Sequence, residues 1–174
     1  MASKIKTLGT ETSANIDGTA FHIGIVVAEY HEHITMKLRD GAVETLRKHG
    51  VREQNIVIEY VPGAFELPMA VALLHQSDYF DAIICLGCVI KGDTDHDVYI
   101  NQAVTNELMR LSTDFIVPIQ YGLLTTNTEQ QAIDRAGGAL GNKGVECALA
   151  TLKMVALAER LIDFDEEDDL ALYN

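Results

Sequence analysis

The sequence predicts a single-domain, three-layer α/β/α fold around a four-stranded parallel sheet. Three observations carry that expectation. Four apolar runs rich in β-branched residues are spaced along the chain, a stretch of helical periodicity follows each of them, and turn residues mark the junctions. Strands separated by helices imply right-handed crossovers, so the sheet is parallel and carries helices on both faces.

Residues 1–19 lack periodicity and read as a flexible N-terminal arm with room for one further short strand near its end. Phe21 to Ala28 is the first buried strand, leading into the polar-aromatic loop from Glu29 to His33. Ile34, Leu38, Ala42 and Leu46 recur at helical spacing, and Gly50 is placed to end that helix. Asn55 to Val61 is the second strand, turned by Pro62-Gly63, and Pro68 suits the first turn of the helix that follows. The unbroken apolar run Ala82 to Ile90 suits a strand buried on both faces, with a helix expected from about Val98 to Ser112. Phe115 to Tyr121 is read as the fourth strand, with Pro118 placing it at an edge. Thr128 with Gln131 matches a capping box for a helix over 129–136. The glycine-rich stretch 137–144 reads as a tight turn into a last helix from Val145 to about Ile162. Residues 20–162 thus form the domain, and 163–174 an acidic tail.

Charge narrows the function. The net charge is −13, and the six acids after Arg160 leave −7 for residues 1–162. An acidic body without a basic stripe is a poor partner for nucleic acid, whose binding rests on neutralising phosphates. No apolar run reaches the length of a membrane span, and the first residues lack the apolar core of a secretion signal, so a cytoplasmic location is expected and no membrane partner. Cys85, Cys88 and Cys147 are odd in number and fall at apolar positions, which argues for reduced thiols. Cys85 and Cys88 spell C-x-x-C, but inside a strand they point to opposite faces, against a redox or metal role.

Chemistry gathers where the central strand ends. The apolar run breaks into Lys91-Gly92-Asp93-Thr94-Asp95-His96, a cation, a glycine, a hydroxyl and an imidazole in succession. Ligands of open parallel sheets bind outside the carboxyl ends of the strands. There a glycine lets backbone approach an anion, a hydroxyl donates to it, and an imidazole moves protons near neutral pH. Strand and helix alternation brings Tyr30–His33, Pro62–Glu66 and Tyr121–Thr126 to the same edge, where Tyr30 could stack on a flat ring and Glu66 accept from hydroxyl or ring N–H groups. The stretch 137–144 is not a Walker-type phosphate loop: Asn142 precedes Lys143, Gly144 follows it, and a helix lies upstream.

In order along the chain stand Pro62-Gly63-Ala64-Phe65-Glu66-Leu67-Pro68, then Leu86 to His96, then Gly122-Leu123-Leu124-Thr125-Thr126, then Arg135-Ala136-Gly137 with Gly141-Asn142-Lys143-Gly144. Over about Phe21 to Leu161 the chain resembles the lumazine synthases, which act before riboflavin synthase in flavin biosynthesis. The resemblance implies a flavodoxin-like fold and condensation of 5-amino-6-(D-ribitylamino)uracil with 3,4-dihydroxy-2-butanone 4-phosphate to 6,7-dimethyl-8-ribityllumazine, without metal or cofactor. It implies that Tyr30 stacks on the pyrimidine, that Ala64, Phe65 and Glu66 contact pyrimidine and ribityl chain, and that Cys88, Val89 and Ile90 offer backbone contacts. It further implies that Asp93, Thr94 and Arg135 bind the phosphate substrate with support from Lys143, that His96 transfers protons, and that Tyr121 comes from an adjacent subunit. The oligomer implied is a homopentamer, with an icosahedral shell permitted by the compact 137–144 turn, and riboflavin synthase is a further partner. His31, Val98 and Ala139 depart from residues common in that family, respectively an asparagine, an acid and a lysine. A flavin-binding module without catalysis and a shell subunit are the alternatives, and the phosphate-handling set of Thr94, His96 and Arg135 speaks against the former.

Overall fold

The computed structural model describes residues 16–77 and 79–171, those beyond 161 by backbone alone. Four strands form one parallel sheet in the order β2-β1-β3-β4: β1 (Ile23–Ala28), β2 (Ile56–Val61), β3 (Ala82–Ile90) and β4 (Ile119–Thr126). The central pair, β1 and β3, is apolar throughout and buried on both faces for most of its length, as a doubly covered sheet requires. Helices α1 (Glu32–Lys48), α4 (Glu129–Arg135) and α5 (Lys143–Ala171) cover one face through a core that includes Leu38, Leu46, Leu86 and Leu152. Helices α2 (Leu67–Ser77) and α3 (His96–Phe115) cover the other through Leu67, Val71, Val104 and Leu108.

The expected four-stranded α/β architecture stands, with three shifts in its elements. The fourth strand begins at Ile119, not Phe115, because α3 runs on to Phe115 and ends at Ile116, whose φ of 54° is left-handed. Pro118 therefore precedes the strand, and the stretch 121–126, expected as an edge loop, is β4 itself. The 136–142 turn is a small antiparallel ribbon of β5 (Ala136–Gly138) and β6 (Gly141–Asn142). Helix α5 continues to Ala171, beyond the expected end at Ile162, since no glycine or proline interrupts the run.

Residues 1–15 of the expected arm and 172–174 of the expected tail lie outside the described residues. Where the arm is described it is packed: Ile16 is buried and the Gly18 N–H donates to the His49 carbonyl at 2.7 Å. Among the described residues no strand precedes β1. Thr128 caps α4 as expected, its Oγ1 accepting from the Gln131 N–H at 3.3 Å, but the Gln131 side chain reaches one residue past the cap and accepts from the Asn127 N–H at 2.9 Å.

Cys85 and Cys88 face opposite sides of the sheet, as strand geometry demands, and with Cys147 all three are free and buried. Burial raises every one of these thiols, Cys88 and Cys147 to about 11. Iodoacetamide at pH 8 should therefore alkylate the native thiols at least about tenfold more slowly than those of the urea-unfolded chain, because the thiolate is the nucleophile. Mass spectrometry of the alkylated protein checks this, and native rates equal to unfolded ones would contradict the burial.

Candidate active site at the carboxyl edge of the sheet

Chain connections fix which side chains meet at the carboxyl ends of the strands. After β1 and β2 the backbone stays paired for two more residues, Glu29 N–H donating to the Val61 carbonyl at 2.8 Å and Tyr30 N–H to Pro62 at 3.3 Å. Gly63 then lies under two side chains: a methyl group added there would sit 3.1 Å from Tyr30 Cδ2 and 3.2 Å from Glu66 Oε2. The aromatic ring and the carboxylate therefore converge on one point of bare backbone, where a planar molecule could stack and donate hydrogen bonds. Tyr30 is 71% exposed although it belongs to an ordered turn, so its ring face is free for a ligand. The following residue, His31, adopts φ 59° and ψ 47°, a left-handed conformation that asparagine and histidine tolerate better than most residues. The departure at this position thus keeps a residue suited to the backbone.

A one-turn 3₁₀ helix over Ala64–Glu66 buries Ala64 and turns Phe65 outward, 64% exposed. Phe65, His96, Tyr99, Ile100 and Ala103 line a cavity of about 610 Å³. His96 is the first residue of α3, one turn from Tyr99, so both rings project on one side of the helix. The sequence expectation set His96 in a loop ahead of its helix; placed on the helix it gains a fixed direction. Tyr99, 72% exposed, joins this cavity without being among the residues expected there, although its i+3 spacing from His96 signals a shared face. Cys88, Val89 and Ile90 end β3 beside these groups, and the Lys91 N–H donates to the Thr126 carbonyl at 2.8 Å, tying the loop to β4. Asp93 and Thr94 are exposed on that loop.

Two expected site residues stand apart. Tyr121 pairs with Cys85, five positions before Ile90, which puts it roughly 17 Å along the sheet from the carboxyl edge. Arg135 ends α4, on the face opposite α3, and is engaged: Nη1 lies 2.7 Å from Glu146 Oε1, Nη2 donates to Oε2 at 2.9 Å, and Nη1 donates to the Leu140 carbonyl at 2.9 Å. Lys143 Nζ reaches the same carboxylate at 3.3 Å. Its hydrogen bonds with Arg135 hold the Glu146 carboxyl below the usual carboxylate range and raise the guanidinium further. Within one chain, then, Arg135, Lys143 and Tyr121 do not join the edge that holds Tyr30, Glu66 and His96. At the opposite, amino-terminal edge, a concavity of about 480 Å³ contains the ring of His75 stacked on Phe115 at 3.9 Å.

Comparison with known proteins is consistent in one direction. Residues 20–159 match the family model described as 6,7-dimethyl-8-ribityllumazine synthase. A protein of that name from Bacteroides fragilis is 52% identical over 132 residues, covering 76% of this chain and 92% of the relative. Those of Phocaeicola vulgatus and Porphyromonas gingivalis are 48% and 49% identical, covering 79% and 80% of this chain and 82% and 87% of the relatives. With the match spanning the whole sheet and every loop of its carboxyl edge, the chain belongs to the 6,7-dimethyl-8-ribityllumazine synthase family of transferases.

Proposed function

We propose that the protein condenses 5-amino-6-(D-ribitylamino)uracil with 3,4-dihydroxy-2-butanone 4-phosphate to 6,7-dimethyl-8-ribityllumazine, releasing phosphate and water. The convergence of Tyr30 and Glu66 over Gly63, beside a cavity holding Phe65 and His96, is the observation that supports it most. Tyr30 stacks on the pyrimidine, Glu66 accepts from its N–H or ribityl groups, and the backbone of Cys88, Val89 and Ile90 reads its polar edge. The 5-amino group attacks the ketone, water leaves as the imine forms, phosphate departs, and the second amine closes the ring with loss of another water. Each step moves a proton, and His96 on its helix terminus is the group placed to carry it. No step calls for a metal or a redox cofactor.

Asp93 and Thr94 receive the phosphate end together with Arg135 and Lys143 of a neighbouring copy, which also lends Tyr121. Two observations support a shared site. The chain's own Tyr121 lies well back along the sheet from its own edge and its Arg135 is engaged by Glu146 on the face opposite α3, and Phe65 on the 3₁₀ turn with Met69 and Leu73 of α2 and Tyr99 and Met109 of α3 leave apolar side chains exposed, of the kind that marks an association face. A homopentamer is the proposed assembly, and the short β5–β6 ribbon leaves an icosahedral shell open to it. The setting is the cytoplasm, where riboflavin synthase would consume the product; among the described residues no helix is long and apolar enough to cross a membrane.

Arg135→Ala tests the phosphate assignment. It should raise the KM for the butanone phosphate about tenfold, the low end for a charged hydrogen bond because Glu146 competes for the guanidinium, and leave the KM for the pyrimidine within about twofold. Steady-state kinetics with each substrate varied in turn measures both, and equal rises would contradict the assignment.

A further inference from the structure

The loop that carries Tyr30 is held from one side by its hydrogen bond to Pro62. From the other it is held by a close polar contact that spans the sheet edge: His33 Nε2 lies 2.8 Å from Glu129 Oε1. His33 sits in the first turn of α1 and Glu129 is the first residue of α4. Their parent strands, β1 and β4, are not neighbours, because β3 runs between them. The pair therefore crosses the carboxyl end of β3, and Glu129 lies near enough to the Cys88 thiol to reinforce the effect of burial on it. The first turn of α1 is anchored on its inner side by Ile34 and Thr35, both fully buried. His31 is left-handed, its side chain makes no cap hydrogen bond, and the helix start relies on the Ile34 and Thr35 N–H groups reaching the His31 carbonyl at 2.8 and 3.0 Å. The His31 and His33 rings meet edge to face at 6.4 Å, so the orientation of one bears on the other.

We propose that His33 and Glu129 are positioning residues, a clasp across the end of β3 that fixes the Tyr30 loop for stacking on the planar substrate. The inference rests on the functional reading above and deepens it. Either the neutral Nε2–H tautomer or the imidazolium can donate to the carboxylate. The two side chains are 54% and 58% exposed, so their bond contributes little to global stability, and its effect concentrates on the orientation of the segment next to it. That segment carries the aromatic ring but none of the groups assigned to the phosphate substrate.

His33→Ala, Glu129→Ala, their double variant and the conservative His33→Gln distinguish such a clasp from a general structural contact. Hydrogen exchange of the amides from Tyr30 to Thr35 should quicken about two- to fivefold in each single variant, as expected for losing an exposed pair, and the double variant should be no faster than either. The KM for the pyrimidine should rise by the same factor, with kcat and the KM for the butanone phosphate unchanged, and His33→Gln should restore both readouts. Exchange at the wild-type rate in both single variants would overturn the clasp whatever the turnover. Equal loss toward both substrates would overturn it too, in favour of a general structural role. A wild-type chain with no turnover above background would overturn the functional reading instead, a result separable from the exchange measurement.

Discussion

Replacing His96 by alanine is expected to lower kcat about 10- to 100-fold, below the full range of general acid–base catalysis because amine and ketone already react without help. His96 opens α3, its ring borders the cavity that Phe65 and Tyr99 line, and the proton transfers of imine formation, phosphate loss and ring closure need a group that takes and returns protons near neutral pH. Val98, two residues further on, is half exposed and carries no acid. His96 thus works without a carboxylate at that position, which keeps the expected loss moderate. The substitution removes an exposed side chain, so folding should be unaffected and the loss should appear in kcat. Full activity in the alanine variant would remove His96 from the mechanism.

The second large effect concerns the fold. Gly144→Ala should destabilise the protein by about 3 kcal/mol, at the upper end of ordinary overpacking, because a methyl group there would lie 1.9 Å from the Leu38 carbonyl oxygen, a backbone atom that cannot swing aside. The surrounding geometry explains why this point is so close. Asn142 accepts from the Gly144 and Val145 N–H groups at 2.8 and 3.3 Å, capping α5, while its Nδ2 donates to the Lys37 carbonyl at 2.9 Å on α1. A side chain on Gly41 would in turn collide with that amide. Two glycines and one asparagine therefore lock α1 against the start of α5. A drop in Tm of roughly 6–12 °C follows for a chain of this size, measured at fixed protein concentration. Gly92→Ala is the control, since the added methyl meets nothing within 4 Å, and its stability should stay within about 0.5 kcal/mol of wild type. Equal stability of the two variants would contradict the packing described.

Local chemistry was legible in the sequence, and long-range pairing was not. The run from Ala82 to Ile90 is the strand its composition announced, and the break after it does carry polar groups to the ligand edge. Tyr30, Phe65, Glu66 and His96 reach that edge as expected because each closely follows a strand and parallel topology collects such positions on one side. The fourth strand was misplaced because Val117, Pro118 and Ile119 look alike to a pattern of apolar residues, and only the left-handed Ile116 shows where the helix stops. The 137–144 glycines read locally as a tight turn, whereas Asn142 and Gly144 also serve the contact between α1 and α5, 105 positions apart at the Lys37 hydrogen bond. His33 with Glu129, and Arg135 with Glu146, are pairings of the same kind, set by packing that no local spacing encodes.

Catalytic condensation is tested by mixing the purified protein with the aminopyrimidine and the butanone phosphate and following product absorbance and fluorescence against the uncatalysed reaction. Turnover well above that background is expected, with phosphate released in step with product. A rate equal to background from folded protein would contradict it, leaving Tyr30 and Glu66 as a binding site without the chemistry assigned to His96.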